Sequence, residues 1–267
     1  MAVSGGRPQR GLFLGNSSHT SIPHDRLLSR AQPRRYAASG IAALREELPS
    51  PKLLAAWATL VLALGVLSAF AAAFDRFPWD LTLARAVQAI DLLGFRRTSW
   101  VATYLSSPTI SQLGLATAVG ALLLLRRPRL AFFAAASAWT HLLGGLLKVL
   151  VDRPRPSGEL VDVVRIETKF SYPSGHAEWV MGFEGFLVFA IWQLTRNRLT
   201  RAVSLGLWGL HLLFVGLGRV EQGLHWPSDV LAGYLVGAIA VAVTIWAYRV
   251  SRHIRFGQVD AEHVAGP

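Results

Sequence analysis

Three short stretches of the sequence place cationic and imidazole side chains at the ends of long apolar runs. The stretches are KVLVDRPRP at 148–156, YPSGH at 172–176 and GRVEQGLHWPSDV at 218–230. Each one alone has a structural explanation, as flanking arginines, as a capped turn or as the start of a helix. Ionisable groups beside such apolar segments are costly unless they have a function, so three stretches in one chain indicate a common site.

The charges of these stretches indicate that the site binds an anion. Lys148, Arg155 and Arg219 are permanent cations, whereas a metal site would need more oxygen ligands and fewer arginines. Arginine forks match pairs of phosphate oxygens, which a smaller anion would need less. Ser174 is a good helix N-cap, and Gly175 would let a ligand approach the amides of the helix N-terminus. The expected anion is therefore a phosphate.

Two histidines in these stretches are candidates to act on such a phosphate. His225 precedes Asp229 by four residues, which would place both on one face of a helix if the helix begins early enough. A carboxylate that holds one ring nitrogen leaves the other nitrogen free as a nucleophile. In the alternative interpretation Asp229 is only an N-cap and His225 an interfacial residue. His176 opens the apolar helix that follows it, and Glu178 is expected to tune its pKa or to line the substrate entrance.

Long apolar segments must position these residues. The chain has 267 residues, of which 52% are hydrophobic and 16% charged, whereas soluble domains have about 45–50% apolar and about 25% charged residues. Its mean hydropathy is +0.38, and windows of about 20 apolar residues can cross a bilayer core of about 30 Å. The sequence therefore predicts an all-α, polytopic membrane helical bundle. The six predicted transmembrane helices are Leu53–Phe74, Ile110–Leu125, Leu130–Leu150, Ala177–Leu194, Ala202–Leu217 and Val230–Tyr248.

An interfacial amphipathic helix is predicted between the first two spans, in FPWDLTLARAVQAIDLLGF. Its apolar residues recur at helical spacing with charged residues among them, which is typical of a helix in the headgroup layer. These residues are Leu81, Ala84, Val87 and Leu92, with Arg85 and Asp91. The alternative is a seventh, marginal span through the same region, which would change the topology.

Arginine clusters predict the orientation of the bundle. The net charge is +11, from 27 Lys and Arg against 16 Asp and Glu. The clusters are short and separate apolar runs, as topology signals do, so the charge does not indicate binding to nucleic acid. Clusters at 126–129, at 196–201 and after the last span fall on one side of a six-span protein, and positive residues stay cytoplasmic. Both termini are thus expected to be cytoplasmic, with 151–176 and 218–229 on the outer face.

The domain organisation follows from the same pattern. Residues 1–52 are expected to form a disordered, basic cytoplasmic tail, residues 53–250 the six-span domain, and residues 251–267 a short cytoplasmic tail. No apolar core begins near the N-terminus, which argues against a secretory signal peptide, although the arginine-rich start also resembles an organelle transit peptide. The chain has no cysteine, which excludes disulfides and cysteine catalysis. The high content of alanine and arginine suggests a bacterial inner (plasma) membrane.

The three stretches resemble the signatures of the type 2 phosphatidic acid phosphatase (PAP2) superfamily, which also contains the vanadium haloperoxidases. Those signatures are Lys-x6-Arg-Pro, Pro-Ser-Gly-His and Ser-Arg-x5-His-x3-Asp. Here they match from Lys148 to Pro156, at 173–176 and from Arg219 to Asp229. The resemblance covers roughly residues 53–250 and includes the order of the motifs and their placement at helix ends.

This sequence departs from the family pattern at two places. Gly218 stands where the family often has serine, which removes a hydroxyl near the expected phosphate. Glu221 and Gln222 stand where members often have a tyrosine and an apolar residue. A carboxylate near an anion site would repel a doubly charged phosphate or bind a cationic or hydroxylated headgroup, so the departures leave the identity of the substrate open.

The resemblance implies a metal-independent membrane phosphatase that needs no cofactor. His225 would attack phosphorus and form a phosphohistidine, Asp229 would orient its ring, and His176 would act as general acid and base. The phosphoryl oxygens would be held by Lys148, Arg155, Ser174, Gly175 and Arg219. The implied partner is a phosphorylated membrane lipid, such as phosphatidic acid, phosphatidylglycerol phosphate or a polyprenyl diphosphate. The alternatives are a phosphotransferase with a lipid or sugar acceptor and a non-catalytic phospholipid-binding or transport protein.

Other ionisable residues receive less specific expectations. A general electrostatic attraction of anionic headgroups is expected from Arg153, Arg165 and Lys169. Hydrogen bonds between helices are expected from the ionisable residues within predicted spans, which are His141, Glu184 and His211.

Overall fold

The computed structural model describes residues 49–90 and 92–252, and these residues form helices and loops without a strand. The helices are α1 (Pro51–Ala73), α2 (Asp80–Gln88), α3 (Phe95–Leu105), α4 (Pro108–Leu124), α5 (Pro128–Ala136), α6 (Thr140–Val151), α7 (Gly175–Trp179), α8 (Gly185–Leu194), α9 (Arg198–Glu221) and α10 (Pro227–Ser251). A 3-10 turn at Ser137–Trp139 joins α5 to α6, and a π-helical turn at Val180–Glu184 joins α7 to α8. The prediction of an all-α fold is confirmed. Asp91 and the predicted tails, apart from 49–52 and 251–252, lie outside the described residues.

Local sequence explains where several helices begin. Pro51, Pro108 and Pro227 lie in the first turn of α1, α4 and α10, where a helix has no use for the N–H that proline lacks. The side-chain oxygen of Asn197 caps α9, because it accepts the N–H of Leu199 at 2.8 Å. These signals start the helices a few residues ahead of the predicted spans.

Within the described residues, four helical segments are long and apolar enough to cross a membrane. They are Pro51–Ala73, Pro128–Val151, Arg198–Glu221 and Pro227–Ser251. A fifth results if α3 and α4, which meet at a bend of 58°, count as one broken span. The predicted span at 177–194 is helical through α7, the π turn and α8, but Glu178 and Glu184 interrupt its apolar character and it is not among these segments. The total of six spans therefore stays a prediction.

The region predicted as an interfacial helix forms two short helices rather than one long one. Helix α2 ends at Gln88, and α3 begins at Phe95. Ala84 of α2 is buried and Leu81 and Val87 pack against the same core cluster, whereas Arg85 is exposed, so the helix is amphipathic as the spacing predicted. Neither α2 nor α3 alone is long enough for a seventh span.

Helix α10 packs very closely against the segment that begins α7. A Cβ atom on Gly233 would lie 2.5 Å from the carbonyl oxygen of Ser174, and one on Gly237 would lie 2.6 Å from that of Glu178. Such small residues, four apart, let the backbones of two membrane helices approach each other. The close approach also allows the N–H of Ser174 to donate to the carbonyl of Asp229 at 2.9 Å.

Helix α2 holds the first half of the loop between α6 and α7 (152–174). The side-chain amide of Gln88 donates to the carbonyl of Asp162 at 2.7 Å, and the N–H of Asp162 donates back to the Gln88 side chain at 3.1 Å. The guanidinium of Arg85 donates to the carbonyl of Leu160 at 3.1 Å. Residues 160–162 are therefore fixed against α2, and the loop continues from there towards the start of α7.

Candidate active site

The end of α6 is joined to the turn that precedes α7. Lys148 lies in the last turn of α6, and its ammonium group donates to the carbonyl of Pro173 at 2.7 Å and to that of Phe170 at 3.2 Å. One of the predicted phosphate-binding cations thus lies beside the Pro-Ser-Gly-His stretch.

His225 lies in the connection between α9 and α10 and is 2% exposed. Arg155 Nη1 lies 3.3 Å from His225 Nε2 and also donates to the carbonyl of Leu224. Because a guanidinium only donates, Nε2 is the accepting nitrogen and the ring proton belongs on Nδ1. Burial, and then the charges of Arg219 and Arg155, lower the pKa of His225 well below 6.5. The ring is therefore neutral at neutral pH, with its lone pair towards the arginine.

Asp229 reaches the ring of His225 through a serine hydroxyl. The spacing had suggested that His225 and Asp229 share a helical face. Helix α10 begins only at Pro227, however, so His225 precedes the helix. The distance from His225 Nδ1 to Asp229 Oδ2 is 3.7 Å, which is too long for a hydrogen bond. Between them, Ser171 Oγ donates to Asp229 Oδ2 at 2.5 Å and lies 3.5 Å from Nδ1. The sequence analysis did not identify Ser171.

A buried chain of ion pairs holds Asp229 from its other side. Arg153 donates to Asp229 Oδ1 at 2.6 Å and to Asp80 Oδ2 at 2.8 Å, and all three side chains are 0% exposed. Asp80 also accepts the N–H and the hydroxyl of Ser228, at 3.0 and 2.7 Å. The expectation that Arg153 attracts headgroups is wrong, because its charge is buried and fully paired. In the sequence Asp80 looks like an ordinary acid at a helix N-terminus.

Several buried donors at the same end of the bundle have no partner among the described residues. These are Ser174 Oγ and the Nε and Nη1 atoms of Arg219. Ser174 is 0% and Arg219 1% exposed, and an unpaired buried donor is costly unless a ligand completes it. Ser174 precedes α7, but its hydroxyl does not cap the helix, and a Cβ on Gly175 would meet no atom within 4 Å. The orphaned donors and the open space beside Gly175 fit an anion.

His176 lies one residue ahead of the predicted span at 177–194 and is partly buried. Burial, followed by the positive charge of Arg219, lowers its pKa from 6.5 to about 3. The influence of Arg219 indicates that the ring lies near the cationic cluster. A bound anion that neutralised this cluster would raise the pKa of His176 again.

A carboxylate that the sequence analysis did not identify lies among the phosphate-binding arginines. Glu167 Oε2 lies 2.7 Å from Arg155 Nη2, and Glu167 Oε1 lies 3.5 Å from Arg219 Nη2 and 2.6 Å from Arg165 Nη2. Burial would raise the pKa of Glu167, but the hydrogen bond from Arg165 and the charges of Arg155 and Arg219 lower it to about 2. The side chain is therefore an anion throughout the physiological pH range.

The two departures from the family pattern both face α3. A Cβ on Gly218 would lie 2.7 Å from Thr103 Oγ1, so a serine would not fit there without a shift, and the glycine follows from helix packing. Glu221 Oε1 lies 2.9 Å from Arg96 Nε, and Glu221 Oε2 accepts the indole N–H of Trp100 at 3.0 Å. The Glu221 carboxylate is thus paired with α3 and does not leave an uncompensated negative charge beside the cations.

Ionisable residues within the predicted spans pair between helices, as expected. His211 Nδ1 of α9 lies 2.8 Å from Glu184 Oε2, and His141 Nδ1 of α6 lies 3.2 Å from Glu178 Oε1. An influence of Glu178 on His176 or on substrate entry stays a prediction.

Comparison with known proteins finds a family match for the second half of the chain. A family model described as the PAP2 superfamily matches residues 129–253, which contain all three motifs. This segment of the chain is thus similar to the PAP2 superfamily. The crystal structure of a transmembrane PAP2-type phosphatidylglycerolphosphate phosphatase from Bacillus subtilis matches with a TM-score of 0.64 at 19% identity, covering 75% of this chain and 98% of that one. This likeness shows the fold of an integral membrane PAP2 protein.

Curated relatives match the chain over shorter segments. Decaprenylphosphoryl-5-phosphoribose phosphatase from Mycobacterium tuberculosis is 32% identical over 127 residues, which are 47% of this chain and 65% of that protein. Phosphatidylglycerophosphatase B from Escherichia coli is 33% identical over 80 residues, which are 30% of each chain. The chain therefore spans less than two thirds of the length of these relatives.

The geometry of this candidate site suits transfer of a phosphoryl group. A neutral, buried imidazole directs its lone pair towards a guanidinium, and further cations and unpaired donors surround the same end of the bundle. Such fixed donors in a water-poor site stabilise charge that develops on phosphoryl oxygens. The predicted ligands Lys148, Arg155, Ser174, Gly175 and Arg219 all belong to the helix ends that meet here.

Proposed function

We propose that the protein is a membrane phosphatase that hydrolyses a lipid phosphate or diphosphate through a phosphohistidine on His225, on the outer face of the membrane. The observation that carries the proposal is the buried His225 ring, whose Nε2 lies 3.3 Å from Arg155 Nη1. The unpaired donors of Ser174 and Arg219 lie at the same end of the bundle. A nucleophile beside orphaned anion donors is what phosphoryl transfer needs.

The first half of the reaction forms the phosphohistidine. His225 Nε2 attacks phosphorus, and the bond from phosphorus to the leaving oxygen breaks. His176, which becomes protonated when the bound phosphate raises its pKa, gives its proton to that oxygen, so that the lipid leaves as an alcohol or as a lower phosphate. The positive charge that develops on the His225 ring is stabilised by Asp229, through Ser171, whose hydroxyl lies 2.5 Å from the carboxylate. Lys148, Arg155 and Arg219 would hold the phosphoryl oxygens.

The second half returns the enzyme to its starting state. His176, now neutral, takes a proton from a water molecule, and the resulting hydroxide attacks phosphorus. The bond from phosphorus to Nε2 breaks, inorganic phosphate leaves, and His225 is neutral again. When phosphate has left, burial and the charge of Arg219 lower the pKa of His176 again, so the ring releases the proton that it gained and is neutral as at the start. The same cationic cluster serves both halves, because the phosphoryl oxygens carry negative charge in both transition states.

Relatives support a lipid as the substrate. Two of the curated relatives are named for phosphatase activity on a decaprenyl-linked sugar phosphate and on phosphatidylglycerophosphate. Apolar helices that end at the site would keep a lipid tail in the bilayer while its phosphate lies among the cations. We therefore propose phosphatidic acid, phosphatidylglycerol phosphate or a polyprenyl diphosphate as the substrate class.

Phosphate release by the purified protein in detergent micelles tests the proposal. The full-length protein should release inorganic phosphate from one of these lipids in the presence of EDTA, and His225→Ala should abolish the release. Acid-labile labelling from a radiolabelled lipid phosphate should be found in the wild type and be missing in the variant. Full activity of His225→Ala would refute the proposed function.

His211→Gln provides a matched histidine control. His211 is eight residues from Arg219 on α9, which is about 12 Å along the helix axis, and it pairs with Glu184. Glutamine keeps hydrogen-bonding capacity at this position. The variant should therefore retain the activity of the wild type, so that a general effect of histidine removal is excluded.

A further inference from the structure

Glu167 lies where the phosphoryl oxygens of a substrate are expected. Its two carboxylate oxygens face two different arginines of the proposed phosphate site, at 2.7 Å from Arg155 Nη2 and 3.5 Å from Arg219 Nη2. A phosphoryl group presents the same kind of acceptor oxygens to the same donors, with more charge. The carboxylate and the phosphoryl group therefore cannot both bind these arginines at full strength.

We propose that Glu167 is an internal competitor of the substrate and sets the charge that a phosphate must carry to enter the site. The proposal rests on the proposed function for the identity of the incoming anion. In the resting protein the carboxylate neutralises part of the cationic cluster. The substrate phosphate displaces it, and the carboxylate returns when inorganic phosphate has left.

The position of Glu167 in its loop allows this exchange. The preceding residues are fixed, because the N–H of Val164 donates to the carbonyl of Gln222 at 3.1 Å. The following residues are fixed by Ser171, whose N–H donates to the carbonyl of Arg153 at 2.9 Å. Within the described loop, residues 165–170 form no backbone–backbone hydrogen bond, and Ile166 is 93% exposed. The carbonyl oxygens of Lys169 and Phe170 accept hydrogen bonds from Arg155 Nε at 2.7 Å and from Lys148 Nζ at 3.2 Å, so these two residues are fixed as well. Residues 165–168 can therefore move between fixed points and lose only the side-chain ion pairs of Glu167.

The charge of an anion determines whether it can displace Glu167 from the two arginines. Because Glu167 is part of the chain, its carboxylate has a high effective concentration at the arginines. A free anion of the same charge therefore displaces it poorly. A phosphate diester carries one negative charge, as Glu167 does, and gains little by replacing it. A phosphate monoester or a terminal diphosphate carries about two charges at neutral pH and gains more from the same guanidinium groups. Glu167 thus favours terminal phosphates over the diesters that surround the protein in a membrane.

The variant Glu167→Gln tests the inference. Purified full-length protein in micelles is compared with the variant for the KM of a lipid phosphate monoester and for the inhibition constant of inorganic phosphate. Without the competing charge, both constants should fall by about 2- to 5-fold, the effect typical of a partly exposed ion pair. Unchanged or higher constants would overturn the inference, because they would mean that Glu167 does not compete or that it helps to hold the substrate.

Two further measurements make the result specific. Glu159→Gln removes an exposed carboxylate from the same loop, and both constants should stay at their wild-type values. The shift of the unfolding temperature by inorganic phosphate needs no turnover, and it should be larger for Glu167→Gln than for the wild type. Equal shifts would count against the inference even in an inactive protein. Failure of this inference is therefore distinguishable from failure of the proposed function, which His225→Ala reports.

Discussion

Replacing Arg153 by methionine is expected to destabilise the fold strongly. The buried guanidinium donates to Asp229 Oδ1 at 2.6 Å and to Asp80 Oδ2 at 2.8 Å. Methionine is similar in length but leaves two buried carboxylates without a counter-charge. Removing one partner of a buried ion pair costs about 3–5 kcal/mol. At about 2–4 °C per kcal/mol for a chain of this size, the midpoint of thermal unfolding should fall by about 6–20 °C.

Thermal unfolding in detergent micelles, followed by circular dichroism, measures this effect. Arg76→Met is the matched control, because Arg76 is an exposed arginine close to α2 and such surface changes stay within about 0.5 kcal/mol. The double variant Arg153→Met/Asp80→Asn removes one of the stranded charges and should recover part of the loss. If Arg153→Met unfolded at the same temperature as Arg76→Met, the view that the chain of ion pairs supports the fold would be refuted.

Two further predictions concern the loop and the helix contact. The pKa of Glu167 is lowered from 4.5 to about 2, so its ion pairs stabilise the fold fully above pH 4.5 and lose this effect as the pH falls towards 2. The difference in unfolding temperature between the wild type and Glu167→Gln should therefore be constant from neutral pH to pH 5 and shrink below pH 4.5; a difference that grew on acidification would contradict this. Gly237→Ala should cost about 1–3 kcal/mol, because its Cβ would lie 2.6 Å from the backbone of Glu178. Gly209→Ala in α9, where nothing lies within 4 Å, should be neutral or stabilising in the same unfolding assay.

Hydropathy predicts the helical architecture because a bilayer leaves a chain few alternatives. Backbone groups in hydrocarbon must be paired within the segment, so a long apolar window becomes a helix. The bounds are less predictable. The predicted span Ala202–Leu217 stops before the first charge, whereas α9 continues to Glu221. The helix continues because Arg219 and Glu221 are buried and face other charges, which a hydropathy window does not register.

The position of the bend between α3 and α4 can be predicted from the sequence. Pro108 disfavours a helical conformation at the residue before it, so a helix boundary at Ser107 follows from local rules. The angle of 58° does not follow from them. It depends on the packing of α3 against α9, where Gly218 gives α3 room to approach.

The candidate site was predictable where its residues form local motifs and unpredictable where they meet through the fold. Lys148, His176 and His225 stand in recognisable stretches at helix ends. Asp80 contacts Ser228 across 148 residues of sequence, and Ser171 contacts Asp229 across 58. At such separations residue type alone does not distinguish a paired acid or hydroxyl from a solvated one. Only the packing of α2 and of the loop at 152–174 brings these groups to Asp229.

The support for the reacting groups is shared between distant parts of the polypeptide. The region that matches the family model, 129–253, carries every signature motif, but Asp80 and Arg96 precede it. A shortened protein that began at residue 129 would retain the motifs, while Arg153 would keep only one of its two carboxylates and Glu221 would lose its cationic neighbour. Grafting the motif-bearing half onto a different amino-terminal half would therefore fail unless the new half supplied an acid beneath Arg153 and a cation beside Glu221.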